Sequence, residues 1–170
     1  MPLNFTAPAA CRAAVTSGAL AAVLLLGACS SAPGIRSASV PVPSRVSNDQ
    51  ASEVAVYAIG LVGTPYRYGG NTPESGFDCS GLIGHVYTTR AGTTLPRTVA
   101  ALQHWGQPLD AADVRSGDLV LFGRGDVPTH AGIYVGQGRF VHAPSTGGTV
   151  RLDPLSAKYW AAQRVAFRRP

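Results

Sequence analysis

Three side chains of this sequence could do nucleophilic and acid–base chemistry together: the thiol of Cys79 and the imidazoles of His130 and His142. Of the chain's three cysteines, Cys11 and Cys29 lie in an N-terminal stretch that reads as an export signal, which leaves Cys79 without a disulfide partner. A lone thiol in an exported domain either reacts or is buried and inert, depending on how its surroundings treat the thiolate. Cys79 stands in Phe77-Asp78-Cys79-Ser80-Gly81, at the start of a run with helical periodicity. A sulfur there lies beside unpaired N–H groups at the positive end of a helix dipole, which is expected to lower its pKa and favour the thiolate. The same N–H groups can stabilise an oxyanion forming on a carbonyl under attack.

Four histidines compete for the role of base. His85 follows Cys79 by six positions on the same helix; at about 1.5 Å and 100° per residue it lies roughly 9 Å along the axis and on another face. It reads as a packing residue. His104, beside Trp105, borders a groove at most. His130 opens the segment His130-Ala131-Gly132-Ile133-Tyr134-Val135, in which His130, Gly132 and Tyr134 share one face of a strand. The next strand carries His142. If Gly136-Gln137-Gly138 form the loop, Val135 pairs with Arg139 and His142 falls opposite Gly132, within reach of His130; a two-residue loop would put the imidazoles on opposite faces. The three groups then make a triad in which Cys79 attacks, His130 accepts and returns the proton, and His142 orients His130. A zinc site on the same residues lacks a fourth ligand and any Cys-x-x-Cys pair, so neither metal nor other cofactor is expected.

The elements that must position these groups follow from caps and periods. Ser47-Asn48-Asp49-Gln50 reads as a capping box. Ala51, Val54, Ala55, Ala58, Ile59 and Val62 recur at helical spacing until Gly63 and Pro65. A glycine-rich loop from Tyr66 to Asp78 leads to a second helix carrying Leu82, Ile83, Val86 and Tyr87 and ending at Gly92. A short helix is expected over 98–105. The period then changes to two, with strands expected at 118–122, 130–135, 139–142, 149–152 and 164–168. Helices first and an antiparallel sheet afterwards make an α+β domain over 49–170.

Residues 1–28 are expected to be a signal segment, with an apolar run from Ala13 to Leu26 too short for a membrane span. Its end, Leu26-Gly27-Ala28-Cys29-Ser30, resembles the lipobox of bacterial lipoproteins, which implies lipid attachment to Cys29 and retention on a membrane. Ser30, where an inner-membrane signal would want aspartate, points to the outer membrane. Residues 29–48 are rich in Ser, Ala, Pro and Val and read as a flexible tether. The net charge of +5 comes from scattered arginines with no nucleic-acid footprint.

Six ordered blocks together resemble the NlpC/P60 family of bacterial cell-wall peptidases. They are Thr64-Pro65-Tyr66-Arg67-Tyr68-Gly69-Gly70, Phe77-Asp78-Cys79-Ser80-Gly81, Leu95-Pro96-Arg97-Thr98, Gly117-Asp118-Leu119-Val120-Leu121-Phe122, His130 to Gly136, and Phe140-Val141-His142-Ala143. The resemblance implies a papain-like fold and cleavage of amide bonds in peptidoglycan stem peptides by Cys79, His130 and His142. It further implies a substrate-positioning or oxyanion role for Tyr66, and local hydrogen bonds set by Asp78 and Ser80. The family includes enzymes that cut between D-glutamate and the diamino acid and others that cut D,D cross-links; the first is the expectation here. The rivals are a non-catalytic lipoprotein that binds wall or a partner, and a cysteine amidase or acyltransferase on the same scaffold. The sequence names no regulatory adaptor or protease.

Overall fold

The computed structural model describes residues 44–170; the expected signal segment over 1–28, the lipidation position Cys29 and most of the expected tether lie outside the described residues. Helix α1, Asn48–Gly60, opens on a complete capping box: the Ser47 hydroxyl accepts from Gln50 N–H and the Gln50 side chain accepts from Ser47 N–H. Two of the first-turn donors are thereby satisfied, worth about 1 kcal/mol for the serine arm. The buried face is Ala51, Val54, Ala55 and Ala58, continued by Leu61. Ile59 and Val62, expected on that face, are exposed instead: Ile59, still helical, lies to the side of the buried stripe, and Val62 falls in the turn after the helix ends at Gly60.

The glycine-rich loop contains a short antiparallel hairpin of β1, Asn71–Thr72, and β2, Gly76–Phe77. Helix α2, Cys79–Ala91, follows, capped by Asp78 and ended by Gly92 in the left-handed region. It buries Leu82, Ile83, Val86 and Tyr87. Helix α3 is one turn, Val99–Leu102, shorter than expected, because only Leu102 of its residues is buried.

The remaining strands are β3, Gln107–Leu109; β4, Leu119–Gly123; β5, His130–Gly136; β6, Arg139–His142; β7, Arg151–Pro154; and β8, Arg164–Arg169. A one-turn helix α4, Lys158–Ala161, precedes β8. All six strands pair antiparallel in the order β3-β8-β4-β5-β6-β7. One face presents Leu119, Leu121, Ala131, Ile133 and Val141 to α1 and α2 in an aliphatic core. The other buries Val120, Phe122, Phe140 and Phe167 under Trp160 of α4.

The turn between β5 and β6 departs from expectation in an instructive way. The loop is two residues, Gln137 (φ 53°) and Gly138 (φ 68°), the left-handed pair of a primed hairpin turn. Gly136 pairs with Arg139, yet Tyr134 pairs with Phe140 and Ile133 with Val141. The ladder therefore shifts by one residue between Tyr134 and Gly136. A β-bulge supplies the extra residue, so the short loop does not throw the two histidines to opposite faces.

The fold also begins earlier than the sequence suggests. Val46 is buried in the aliphatic core, the Arg45 amide donates to the Pro170 carbonyl at 3.1 Å, and Arg115 Nη2 donates to the Val46 carbonyl at 3.1 Å. Residues 44–48, expected as the last of the tether, thus belong to the fold: Ser44–Val46 form a packed clasp, and Ser47 and Asn48 cap and open α1. Beneath it, Asp118, only 1% exposed, takes Arg169 Nε at 3.0 Å and Nη2 at 2.9 Å.

Candidate active site

Asp78 organises the region around Cys79 with both carboxylate oxygens. Oδ1 accepts from the Gly81 N–H at 2.6 Å as the cap of α2, and Oδ2 accepts from the Gly69 N–H at 2.9 Å, tying the preceding loop to the helix. The Ser80 hydroxyl, buried, lies 3.0 Å from Asp78 Oδ1 and 2.7 Å from the Arg97 carbonyl, so it fixes the segment carrying Arg97 against the same cap. Gly81 is pressed onto the loop: a Cβ there would lie 1.9 Å from the Gly70 carbonyl oxygen. The missing side chain at Gly81 is what seats helix on loop.

Cys79 is a free thiol, partly exposed at the first position of α2. Backbone N–H groups of Ser80, Ala131 and Cys79 itself favour its thiolate, as the helix-start argument requires. They do not prevail. Burial, first, and the negative charge of Asp78, second, push the thiol above its ordinary pKa. The expectation of a lowered pKa is corrected on these two grounds. Tyr66 stands close enough to feel both Cys79 and Asp78; burial, then their charges, raises its phenol. The Ala131 N–H acts on the sulfur from the residue next to His130. Among the described residues no hydrogen bond joins Cys79 directly to either imidazole.

His130 and His142 lie together on the aromatic face of the sheet. His130 Nε2 is 2.9 Å from His142 Nδ1, with the rings nearly perpendicular. Gly132 makes this approach possible: a Cβ on it would come within 2.7 Å of the Phe140 ring and 3.2 Å of the His142 Cβ. His142 has no exposed surface, and its Nε2 is 3.1 Å from Asp153 Oδ2. Burial first, then the neighbouring imidazole and Arg151, hold His130 down to about 3; burial likewise holds His142 down to about 4, against the pull of Asp153. Both are therefore neutral imidazoles near pH 7. With both nitrogens of His142 taken, the zinc alternative has no ligand to draw from it.

Sequence reasoning missed Asp153 and Trp160. Trp160, 5% exposed, donates from Nε1 to Asp153 Oδ2 at 2.9 Å and stacks its ring on His130 at 5.2 Å between centroids. Arg151 reaches the same oxygen from Nε at 3.0 Å. The signal for Asp153 was its parity: it faces Phe140 across β6–β7, which puts it on the same face as His142, one step along. The strand expected at 149–152 stopped just short of it. The remaining histidines sit elsewhere. His85 Nε2 is 3.1 Å from the Tyr57 hydroxyl on the outer side of α2, and His104 is exposed in a cleft with Trp105, Arg45 and Pro170.

A thiol at a helix start, a neutral imidazole pair and a part-buried carboxylate are groups with which acyl transfer through a cysteine can be run, and known proteins match this chain. The murein DD-endopeptidase MepH of Escherichia coli (strain K12) is 40% identical over 113 residues, 64% of this chain and 41% of that protein. The bifunctional muramidase/DL-endopeptidase CwlT of Bacillus subtilis (strain 168) is 38% identical over 130 residues, 75% of this chain and 39% of that protein. The chain thus spans less than half the length of these two relatives. The crystal structure of the NlpC/p60 domain of the peptidoglycan hydrolase SagA superimposes with a TM-score of 0.60 at 29% identity, over 68% of this chain and 96% of that one. The α+β arrangement is accordingly the papain-like fold of those domains. With the model of the NlpC/P60 family matching residues 63–169, the chain belongs to that family.

Proposed function

We propose that this protein is a cysteine peptidase that hydrolyses amide bonds in the stem peptides of peptidoglycan. The observation that carries the reading is the seating of Cys79 at the head of α2, against the Ala131 N–H, with the His130–His142 pair at the start of the same strand system. In the proposed reaction the Cys79 sulfur attacks the scissile carbonyl while His130 takes the thiol proton. The amides at the head of α2 stabilise the oxyanion, with Tyr66 at its edge. His130 then gives the proton to the leaving amine, and water hydrolyses the thioester to restore the thiol. The raised pKa of Cys79 makes proton transfer part of the attack rather than a step completed beforehand. The missing Cys79–His130 hydrogen bond is one that closes with substrate in place, as such contacts often do.

Within the stem peptide, the proposed target is the bond between D-glutamate and the diamino acid. The D,D cross-link is the second reading, favoured by the DD-endopeptidase activity for which the Escherichia coli relative is named. Lipidation of Cys29 and residence on the periplasmic face of the outer membrane complete the proposal. They are supported by the Leu26-Gly27-Ala28-Cys29-Ser30 sequence. Fatty-acid labelling that disappears in Cys29→Ala is expected; equal labelling of both would remove the anchor.

Full-length protein incubated with isolated muropeptides under reducing conditions is expected to release fragments whose masses identify the bond, and Cys79→Ala to release none. Wild type that releases no more than Cys79→Ala would leave the protein a binder.

A further inference from the structure

Four nitrogen atoms converge on one oxygen of Asp153. Trp160 Nε1 lies 2.9 Å from Oδ2, Arg151 Nε 3.0 Å, Arg151 Nη2 2.9 Å and His142 Nε2 3.1 Å. Indole and guanidinium nitrogens only donate, so the oxygen receiving them carries no proton, and His142 must donate from Nε2. A neutral His142 protonated there has its lone pair on Nδ1, 2.9 Å from His130 Nε2. His130 must then donate from Nε2 and keep its own lone pair on Nδ1. That nitrogen alone, of the four in the two rings, has no hydrogen-bond partner among the described residues.

We propose that Asp153 is a positioning residue: held by Trp160 and Arg151, it sets the proton order through His142 to His130, and so leaves His130 Nδ1 as the nitrogen that takes the Cys79 proton. The catalytic consequence rests on the cysteine-hydrolase reading above; the proton order does not. During attack the S–H bond breaks, the proton moves to His130 Nδ1 and the sulfur's electron pair forms the C–S bond. The positive charge gained by His130 is then shared through His142 toward a carboxylate that stays ionised. The environment supports this division of labour. Burial opposes charge on Asp153, but the bonds from Trp160 and His142 and the charge of Arg151 outweigh it and hold the carboxyl below its usual range. The enclosure by Trp160, Phe140 and the sheet leaves His142 no exposed surface, so water offers that imidazole no other partner.

Nitrogen-15 NMR of full-length protein with labelled histidine tests the order directly. At pH 7 both His130 and His142 are expected to carry the proton on Nε2 and none on Nδ1; a proton on Nδ1 of either overturns the proposal, whether or not the protein hydrolyses anything. Asp153→Asn can offer an amide N–H to His142 and is expected to move that ring's proton to Nδ1. It should lower kcat by on the order of 10²–10⁴-fold with KM changed less than about threefold, and Asp153→Glu should recover much of the loss. A folded Asp153→Asn with wild-type kcat, or one that loses activity with both tautomers unmoved, overturns the positioning role. Should Asp153→Asn not fold, the wild-type tautomers still decide. Wild type without hydrolase activity but with the stated tautomers would sink the hydrolase reading and leave the proton order standing.

Discussion

The thiol of Cys79 is surrounded by main-chain amides on short, tightly turned segments, whereas the imidazole of His142 is closed in by side chains from three strands and a helix. At the first position, partial charges come from the backbone and are fixed once α2 is capped, so the local pKa is left to burial and to Asp78. At the second, every polar atom has a side-chain partner, and an aromatic roof excludes water. The difference teaches that a helix start alone does not make a reactive thiolate. On the proposed function, the activating then falls to the imidazole of His130, kept neutral by burial.

Substitutions on the histidine side should be the most damaging to activity. His130→Ala is expected to lower kcat by on the order of 10³–10⁴-fold, since the raised thiol is left without a base. Steady-state hydrolysis of purified muropeptides measures this, and a loss under tenfold would mean that the thiol activates itself. Trp160→Ala should cost about 3–5 kcal/mol of stability in denaturant unfolding, because it empties the roof over Phe122, Phe140 and both imidazoles. Trp160→Phe, which keeps the ring and removes the donor to Asp153, should retain most of that stability and still lower kcat. Equal activity of Trp160→Phe and wild type would show that the indole N–H is idle.

On the cysteine side, Gly81→Ala is expected to destabilise by about 1–3 kcal/mol, as the new methyl meets the Gly70 carbonyl. A wild-type melting curve would show that the loop moves aside. Acid titration separates the two regions again. His130 and His142 bind protons more readily when unfolded, so the folded state should lose stability as pH falls from about 6.5 through about 4 and then about 3, with nothing lost from this source above neutrality. Each contributes a slope of at most about 1.4 kcal/mol per pH unit. A flat profile between pH 6.5 and 4 would contradict the neutral, buried pair. The smallest effect concerns alkylation. Iodoacetamide should modify Cys79 at pH 7 no faster than a simple thiol, and Asp78→Asn, which keeps a capping oxygen, should speed it a few-fold. Fast alkylation of wild type would restore the thiolate picture.

What could be read from the sequence follows the range of the interactions. The capping box at Ser47–Gln50 and the stop at Gly92 are local, and both helices start where their caps placed them, although α1 ends at Gly60, short of the Gly63 stop that was expected. The shared face of His130 and His142 was legible from strand parity, but the route to it was not. A two-residue turn and a compensating bulge give the same alignment as the three-residue loop that was expected. Asp153 and Trp160 escaped because nothing near them in the chain announces their partners. Asp153 ends a strand whose pairing is decided by β6, and Trp160 sits on a single turn of helix too short to show a period. The thiol's pKa was misjudged for a related reason: the dipole is visible in one dimension, while burial belongs to the assembled fold.

The clasp at Ser44–Val46 brings the first and last described residues side by side, with Arg45 bonded to Pro170. A brief linker could therefore close the backbone into a ring, and fresh ends could be opened at the solvent-facing Gln137–Gly138 turn without cutting through either packed layer. Because entry and exit share one corner, the whole body could also be spliced into a host polypeptide as a plug-in cassette, leaving the host's own two halves close together.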